Sequence, residues 1–250
     1  MNASVLAVPS LQPGDVRAAV IGLLGFAAAE EQMLLAAVSE DGSEPGTPDR
    51  WAALPLVAHN TEFKEQQARR LQCVRDEQDP PSFTEIDHSS AEVYQRYCEQ
   101  DSAAIAAGSR QAAMELTAGL AEVSDEDLLD PSRHPWLAGR QLWLQVVVRG
   151  FWHSTGHLGA YYLAHGQPGR AVALARQAVA SAAYLGAPAA ARGMACYNLA
   201  CAQARVGHPD DALVALAEAV VLNPALRVNA RRDTDLASLA GHDGLGILLG

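Results

Sequence analysis

Three histidines carry the chemistry this sequence offers. His153 and His157 stand four apart in "GFWHSTGHLGAYYLAHG", residues 150–166. On a helix that spacing puts both imidazoles on one face, about 5–6 Å apart at Cβ. Two rings so placed can reach one ion, and zinc, nickel, iron and manganese all accept imidazole nitrogen. A bare H-x-x-x-H is a weak signal. Its protease form, H-E-x-x-H, needs a glutamate where this chain has Ser154, so a zincin-type protease is excluded in its standard form. A third donor is offered by His59 in "LPLVAHNTEF". It sits in the apolar run of Leu54, Leu56, Val57 and Ala58, where a polar ring is costly to bury without a partner. A single histidine there reads most simply as a core residue with one hydrogen bond. A second helix bearing a matched pair changes that reading. One ligand from one helix and two from another leave coordination positions open, the mark of a catalytic site.

Helical spacing also nominates neighbours. Glu62 is three residues after His59, and Arg149 is four before His153. Arg149 suits a carboxylate of a substrate or co-substrate. Glu62 suits a general base, or a partner that orients an imidazole. Each has an ordinary alternative as a salt-bridge residue at the rim. Trp152 and Tyr161 read as packing residues. Gly150, Gly156 and Gly159 weaken a helix by about 1 kcal/mol each relative to alanine, and serve either close helix packing or room above a metal. His134 lies in a connector near the start of the fourth helix, from where it could approach the site mouth, whereas His88, His165, His208 and His242 fall in caps, turns or the tail. Phosphate-binding, dinucleotide and serine-hydrolase motifs are absent.

The elements that would position these residues are helical throughout, with almost no strand-like alternation. A first helix follows Asp15 as N-cap, with Val16, Val20, Leu23, Ala27 and Leu34 at helical spacing. The Gly- and Pro-rich "DGSEPGTP" (41–48) is a loop. A second helix runs from Trp51 to about residue 78, with Pro55 early in it. A capping box of Ser89 and Glu92 opens a third, extending to about Leu120. "SDEDLLDPSRHP" is a connector with one helical turn, and a fourth helix spans Trp136 to Ala164. Four long helices joined this way predict a four-helix bundle over residues 10–166.

The remainder, residues 167–250, is rich in Ala, Leu and Val. "YNLACAQARVGHPDDALVALAEAVVLNP" resembles a tetratricopeptide repeat through Leu199, Ala200, Gly207, Ala212, Leu216, Ala219 and Pro224, with Cys196 and Gln203 at the usual Trp and Tyr positions. The same template fits Leu158, Gly159, Tyr162, Gly166, Ala171, Ala175 and Ala178, at an offset of 41 residues in place of the roughly 34 of a regular tandem. The fourth bundle helix then doubles as the first helix of a repeat-like hairpin, so the two units share a helix and pack without a flexible linker. "ALRVNARRDTDLASLAGHDGLGILL" reads as a final capping helix plus tail.

The order and spacing of His59 in "VAHNTEF" and of His153 with His157 in "GFWHSTGHLG" resemble the DinB-like metalloprotein superfamily, four-helix bundles that include thiol-dependent S-transferases and isomerases. The resemblance covers about two-thirds of the chain, and the repeat-like unit is an addition to the usual plan. It implies a divalent metal held by His59, His153 and His157, and a low-molecular-weight thiol such as mycothiol or bacillithiol as co-substrate. An open metal position lowers the pKa of a bound thiol or water and yields a nucleophile at neutral pH.

Bulk properties narrow the field. At 250 residues, 49% hydrophobic and 19% charged, the chain is of ordinary globular composition. A formal charge of −11 argues against nucleic acid or an anionic membrane as partner. No run of 18 contiguous apolar residues occurs, and "MNASVLAVPSLQPGD" lacks the basic start of a secretion signal, so a cytoplasmic protein is expected. Cys73, Cys98, Cys196 and Cys201 form no C-x-x-C pair and read as reduced packing residues. Two functions stand. One is a metal-dependent enzyme acting on a small electrophile with thiol or water as nucleophile, by transfer, isomerisation or hydrolysis. The other is an adaptor that binds a peptide partner, or a second copy, through the C-terminal helices. One and a half repeats make a poor groove, which favours the enzyme.

Overall fold

The computed structural model describes residues 11–41, 47, 51–81, 90–97 and 100–249. These residues form helices, turns and connectors, with no β-strand among them. Long helices α1 (Pro13–Asp41), α2 (Ala53–Arg75) and α4 (Ser102–Glu122) pack with a composite helix built of α6 (Leu142–Val147), a π-helical turn (Val148–Trp152) and α7 (His153–Ala164). The short α3 (Ser90–Tyr97) lies on α2, and α5 (Asp125–Leu129) on α6. The chain then folds back and forth through α8 (Pro168–Tyr184), α9 (Ala189–Arg205) and α10 (Pro209–Leu222).

The inward stripe of α1 follows from its sequence. Val16, Val20, Leu24, Ala27, Glu31 and Leu34 recur at steps of three and four and are all buried. Leu24 is the buried residue where Leu23 was expected, because the stripe turns by one position there. By length and composition, residues 13–38 of α1 are also apolar enough to cross a membrane. Arg17, Glu30 and Glu31 interrupt this helix, so its apolar character is not a run of contiguous apolar residues. In this fold the stripe of α1 is spent against α4 and α6. At its start, Arg17 donates to the carbonyls of Ala121 (3.0 Å) and Val123 (2.6 Å), satisfying the open end of α4.

Several boundaries differ from the sequence reading. Asp15 lies inside the first turn of α1 rather than capping it. The third helix is two helices: α4 restarts at Ser102 because the Asp101 carboxylate accepts the Ala104 N–H at 3.0 Å and caps a new N-terminus. Ser89 of the expected capping box, His88 and Cys98 lie outside the described residues. The fourth helix begins at Leu142, since Pro135–Leu137 forms only a 3₁₀ turn and Ala138 takes a left-handed φ of 50°. The expected capping helix is three short pieces, α11 (Leu226–Ala230), a 3₁₀ turn (Thr234–Leu239) and α12 (Asp243–Leu249).

Gly166 (φ 72°) and Gly207 (φ 79°) follow α7 and α9 in the left-handed region that favours glycine. Pro168 and Pro209 then open α8 and α10, where the missing N–H has no partner to lose. Helices α7 to α10 thus form two hairpins with the same punctuation.

Candidate metal centre

Along the packed helices α1, α2, α4 and α6–α7, two apolar cores are separated by a polar layer. On α1, Ala27 belongs to one core and Leu34 to the other, with Glu31 between. On α2, Val57 and Leu71 flank His59, Asn60, Lys64 and Gln67. On α4, Ile105 and Leu116 flank Ser109, and on the composite helix Phe151 and Leu158 flank Ser154. Glu31 forms a buried ion pair with Lys64. Its carboxylate also accepts from Asn60 Nδ2 (3.1 Å) and Ser109 Oγ (2.9 Å). Asn60 Nδ2 lies 3.5 Å from the Ser154 carbonyl, tying α2 to α7 next to two of the histidines. A buried pair survives only where further hydrogen bonds serve its remaining lone pairs, and Asn60 and Ser109 do this for Glu31.

The three histidines meet at this layer. One nitrogen from each of His59, His153 and His157 lies within 4.8 Å of the others. His59 Nε2 and His153 Nε2 are 3.1 Å apart. Two nitrogens on one tetrahedral zinc stand about 3.3 Å apart for bonds of about 2.0–2.1 Å, so this pair already has nearly the separation an ion requires. Trp51 stacks on His157, with ring centroids 5.6 Å apart and planes 5° from parallel, and meets His59 edge-on at 5.2 Å. Phe63 covers His153 at 3.9 Å and His59 at 4.9 Å.

This environment keeps His153 and His157 neutral. Burial first, then the neighbouring His157, His59 and Arg149, pushes His153 down to about 2. Burial alone takes His157 to about 4. Only a neutral imidazole has a lone pair for a metal. Three imidazoles converging under aromatic rings fit a divalent ion of the borderline class.

The nominated neighbours divide. Arg149 sits beside the site, its guanidinium carbon 5.3 Å from the Phe63 ring centre. It reaches there through the π-helical turn, whose wide i→i−5 bond runs from the His153 N–H to the Val148 carbonyl. Such turns recur at functional sites because they re-aim side chains without breaking the helix. Glu62 stands outside the nitrogen group and pairs with Arg96 of α3 at 2.9 Å, while its Oε2 is buried without a hydrogen-bond partner. His134 bonds the Asp127 carbonyl at 3.1 Å and packs on Trp136, in the connector. Trp152 donates to Ser181 Oγ at 3.0 Å, joining the bundle to α8.

Sequence reasoning missed Trp51, Phe63, Glu31 and Lys64. Phe63 was within reach of it, lying four residues after His59. Glu31 and Lys64 were also detectable, as charged residues on otherwise inward-facing stripes. Nothing local marks Trp51, which meets the histidines only through the approach of α2 to α7.

A cleft of about 590 Å³ opens beside the centre. His153, Arg149 and Trp152 stand in one end of its wall, small residues of α7, α8 and α9 line its middle, and Arg205, Asp233 and Asp235 stand at the other end. Compared with known proteins, the chain matches no protein-family model, no curated protein and no solved structure.

Proposed function

We propose that this chain is a divalent-metal-dependent enzyme of DinB-like character, a four-helix bundle extended by tetratricopeptide-like hairpins, that acts on a small electrophilic substrate. The observation that carries this reading is the convergence of His59, His153 and His157 nitrogens within 4.8 Å, under aromatic cover and beside a cleft. The repeated left-handed glycines and opening prolines of α7 to α10 support the repeat-like part.

A divalent ion held by the three imidazoles supplies Lewis acidity and lowers the pKa of a thiol or water at an open position. The chain's own groups do the rest. Trp51 and Phe63 exclude water and fix the ring planes. The Glu31–Lys64 pair and Asn60 hold α1, α2 and α7 in register, which keeps His59 opposite His153. Arg149 binds an anionic group of the substrate or thiol from the cleft side. The cleft's volume is within the range of small-molecule sites.

The test is elemental analysis of protein purified without chelators or metal-affinity resin. About one divalent ion per chain is expected, lost in His59→Ala, His153→Ala and His157→Ala while helical circular dichroism persists. A metal-free wild type that takes up no zinc, nickel, iron or manganese on incubation would overturn the reading. Residue placement would then favour the adaptor alternative, since α8 and α9 line the cleft.

A further inference from the structure

The cleft is polarised from end to end. At the His153 end stands the Arg149 cation. Gly156, Gly159, Ala175, Ala178 and Ala195 give the lining its small side chains, beside the larger apolar Leu163, Leu174 and Met194. A Cβ added to Gly156 would meet nothing within 4 Å, and one added to Gly159 would meet only the Ala171 carbonyl at 3.9 Å. At the far end two carboxylates face one cation, since Asp235 pairs with Arg205 at 3.6 Å while Asp233 accepts from Tyr197 Oη (2.7 Å) and Cys201 Sγ (3.7 Å). That end is negative enough to push the Cys201 thiol up, after burial, through Asp233 and Asp235.

We propose that this cleft is the substrate site of the His59–His153–His157 centre, and that it takes an elongated molecule with an anionic or metal-binding head at Arg149 and His153, an apolar body against the small residues of α7 to α9, and an ammonium group at Asp233 and Asp235. The proposal rests on the metal reading for the role of the head group only. The C-terminal hairpins are then the recognition wall of the site, and the helix shared by both units, α7, brings wall and ligands together. Charge complementarity sets the orientation, because reversing the ligand places an acid against two carboxylates.

Three probes of equal chain length separate the parts: 8-aminooctanoate, octanoate and octylamine. Their binding is followed by calorimetry on full-length protein, metal-free and zinc-loaded. On metal-free protein, 8-aminooctanoate should bind at least about fivefold tighter than octanoate, the ratio that one added charge-assisted contact gives. Asp235→Asn should cut octylamine affinity severalfold and leave octanoate unchanged, and Ala178→Phe should block all three probes. Zinc should tighten 8-aminooctanoate and octanoate while leaving octylamine unaffected. 8-Aminooctanoate binding metal-free protein no more tightly than octanoate would overturn the proposal, as would indifference of every probe to Ala178→Phe. Failure of zinc, nickel, iron and manganese alike to bind would overturn the metal reading alone, because the ammonium contact is read without metal.

Discussion

The helices from α1 to α7 and the C-terminal hairpins that follow are both well packed, yet they fill their interiors differently. In the bundle Glu31, His59, Asn60, Lys64, Gln67, Ser109 and Ser154 are all buried. The interior of the hairpins is Ala200, Ala204, Ala212, Leu216, Ala219 and Val220, with Ser181 and Gln203 as its buried polar residues. A polar residue in a core costs free energy that an apolar residue of similar volume does not. A scaffold therefore has no use for a polar layer, whereas a centre that must hold neutral imidazoles in fixed planes does. The contrast sets a buried polar layer with three imidazoles among helices α1 to α7 against a small-residue interior in the hairpins.

The sharpest way to break that contrast is to strip the ion pair. Lys64→Met leaves Glu31 charged and buried, and should cost about 3–5 kcal/mol, more than about 6 °C in melting temperature. Combining it with Glu31→Leu should bring the melting temperature back to the wild-type range or above. A double variant no more stable than the single one would mean that the polar layer is structural. In the hairpins, Leu216→Ala should cost about 2–5 kcal/mol in denaturant unfolding and leave bound metal unchanged. Loss of metal in that variant would show that the two regions are not separable in role.

Acid should act on the bundle first. His153 and His157 titrate at about 2 and about 4 in the fold, well below the value near 6.5 of an unfolded histidine. Their contribution is complete above pH 6.5 and is lost as the pH falls toward 4, because the unfolded chain takes up protons that the fold refuses. The slope is about 1.4 kcal/mol per pH unit for each ring. Thermal melts of metal-free wild type against a His153→Phe/His157→Phe variant isolate it, since the variant should lack that part of the acid sensitivity.

The smallest effects concern two glycines. Gly193→Ala would bring a Cβ to 2.9 Å from Asn223 Cβ and 3.0 Å from the Ala219 carbonyl, forcing α9 from α10, at a cost of about 1–3 kcal/mol. Gly156→Ala meets open space and should stabilise α7 by about 0.5–1 kcal/mol. Equal melting temperatures for the two would contradict the packing described for α9 against α10.

Periodicity and punctuation are local properties, and they determined much of this protein. The inward face of α1, the pairing of His153 with His157 on one helix face, and the glycine–proline punctuation of α7 to α10 follow from residue type and step size. His59 was legible too, as a lone polar ring in an apolar run. Other features depend on which helices touch. The restart at Ser102 depends on a cap at Asp101, and the start at Leu142 on a left-handed Ala138. The convergence of three imidazoles, the cover given by Trp51 and Phe63, and the matching of Glu31 to Lys64 across 33 residues are distances through space. Residue spacing along one helix fixes only which side chains share a face, and it took the packing of α1, α2, α4 and α7 to place those faces against one another.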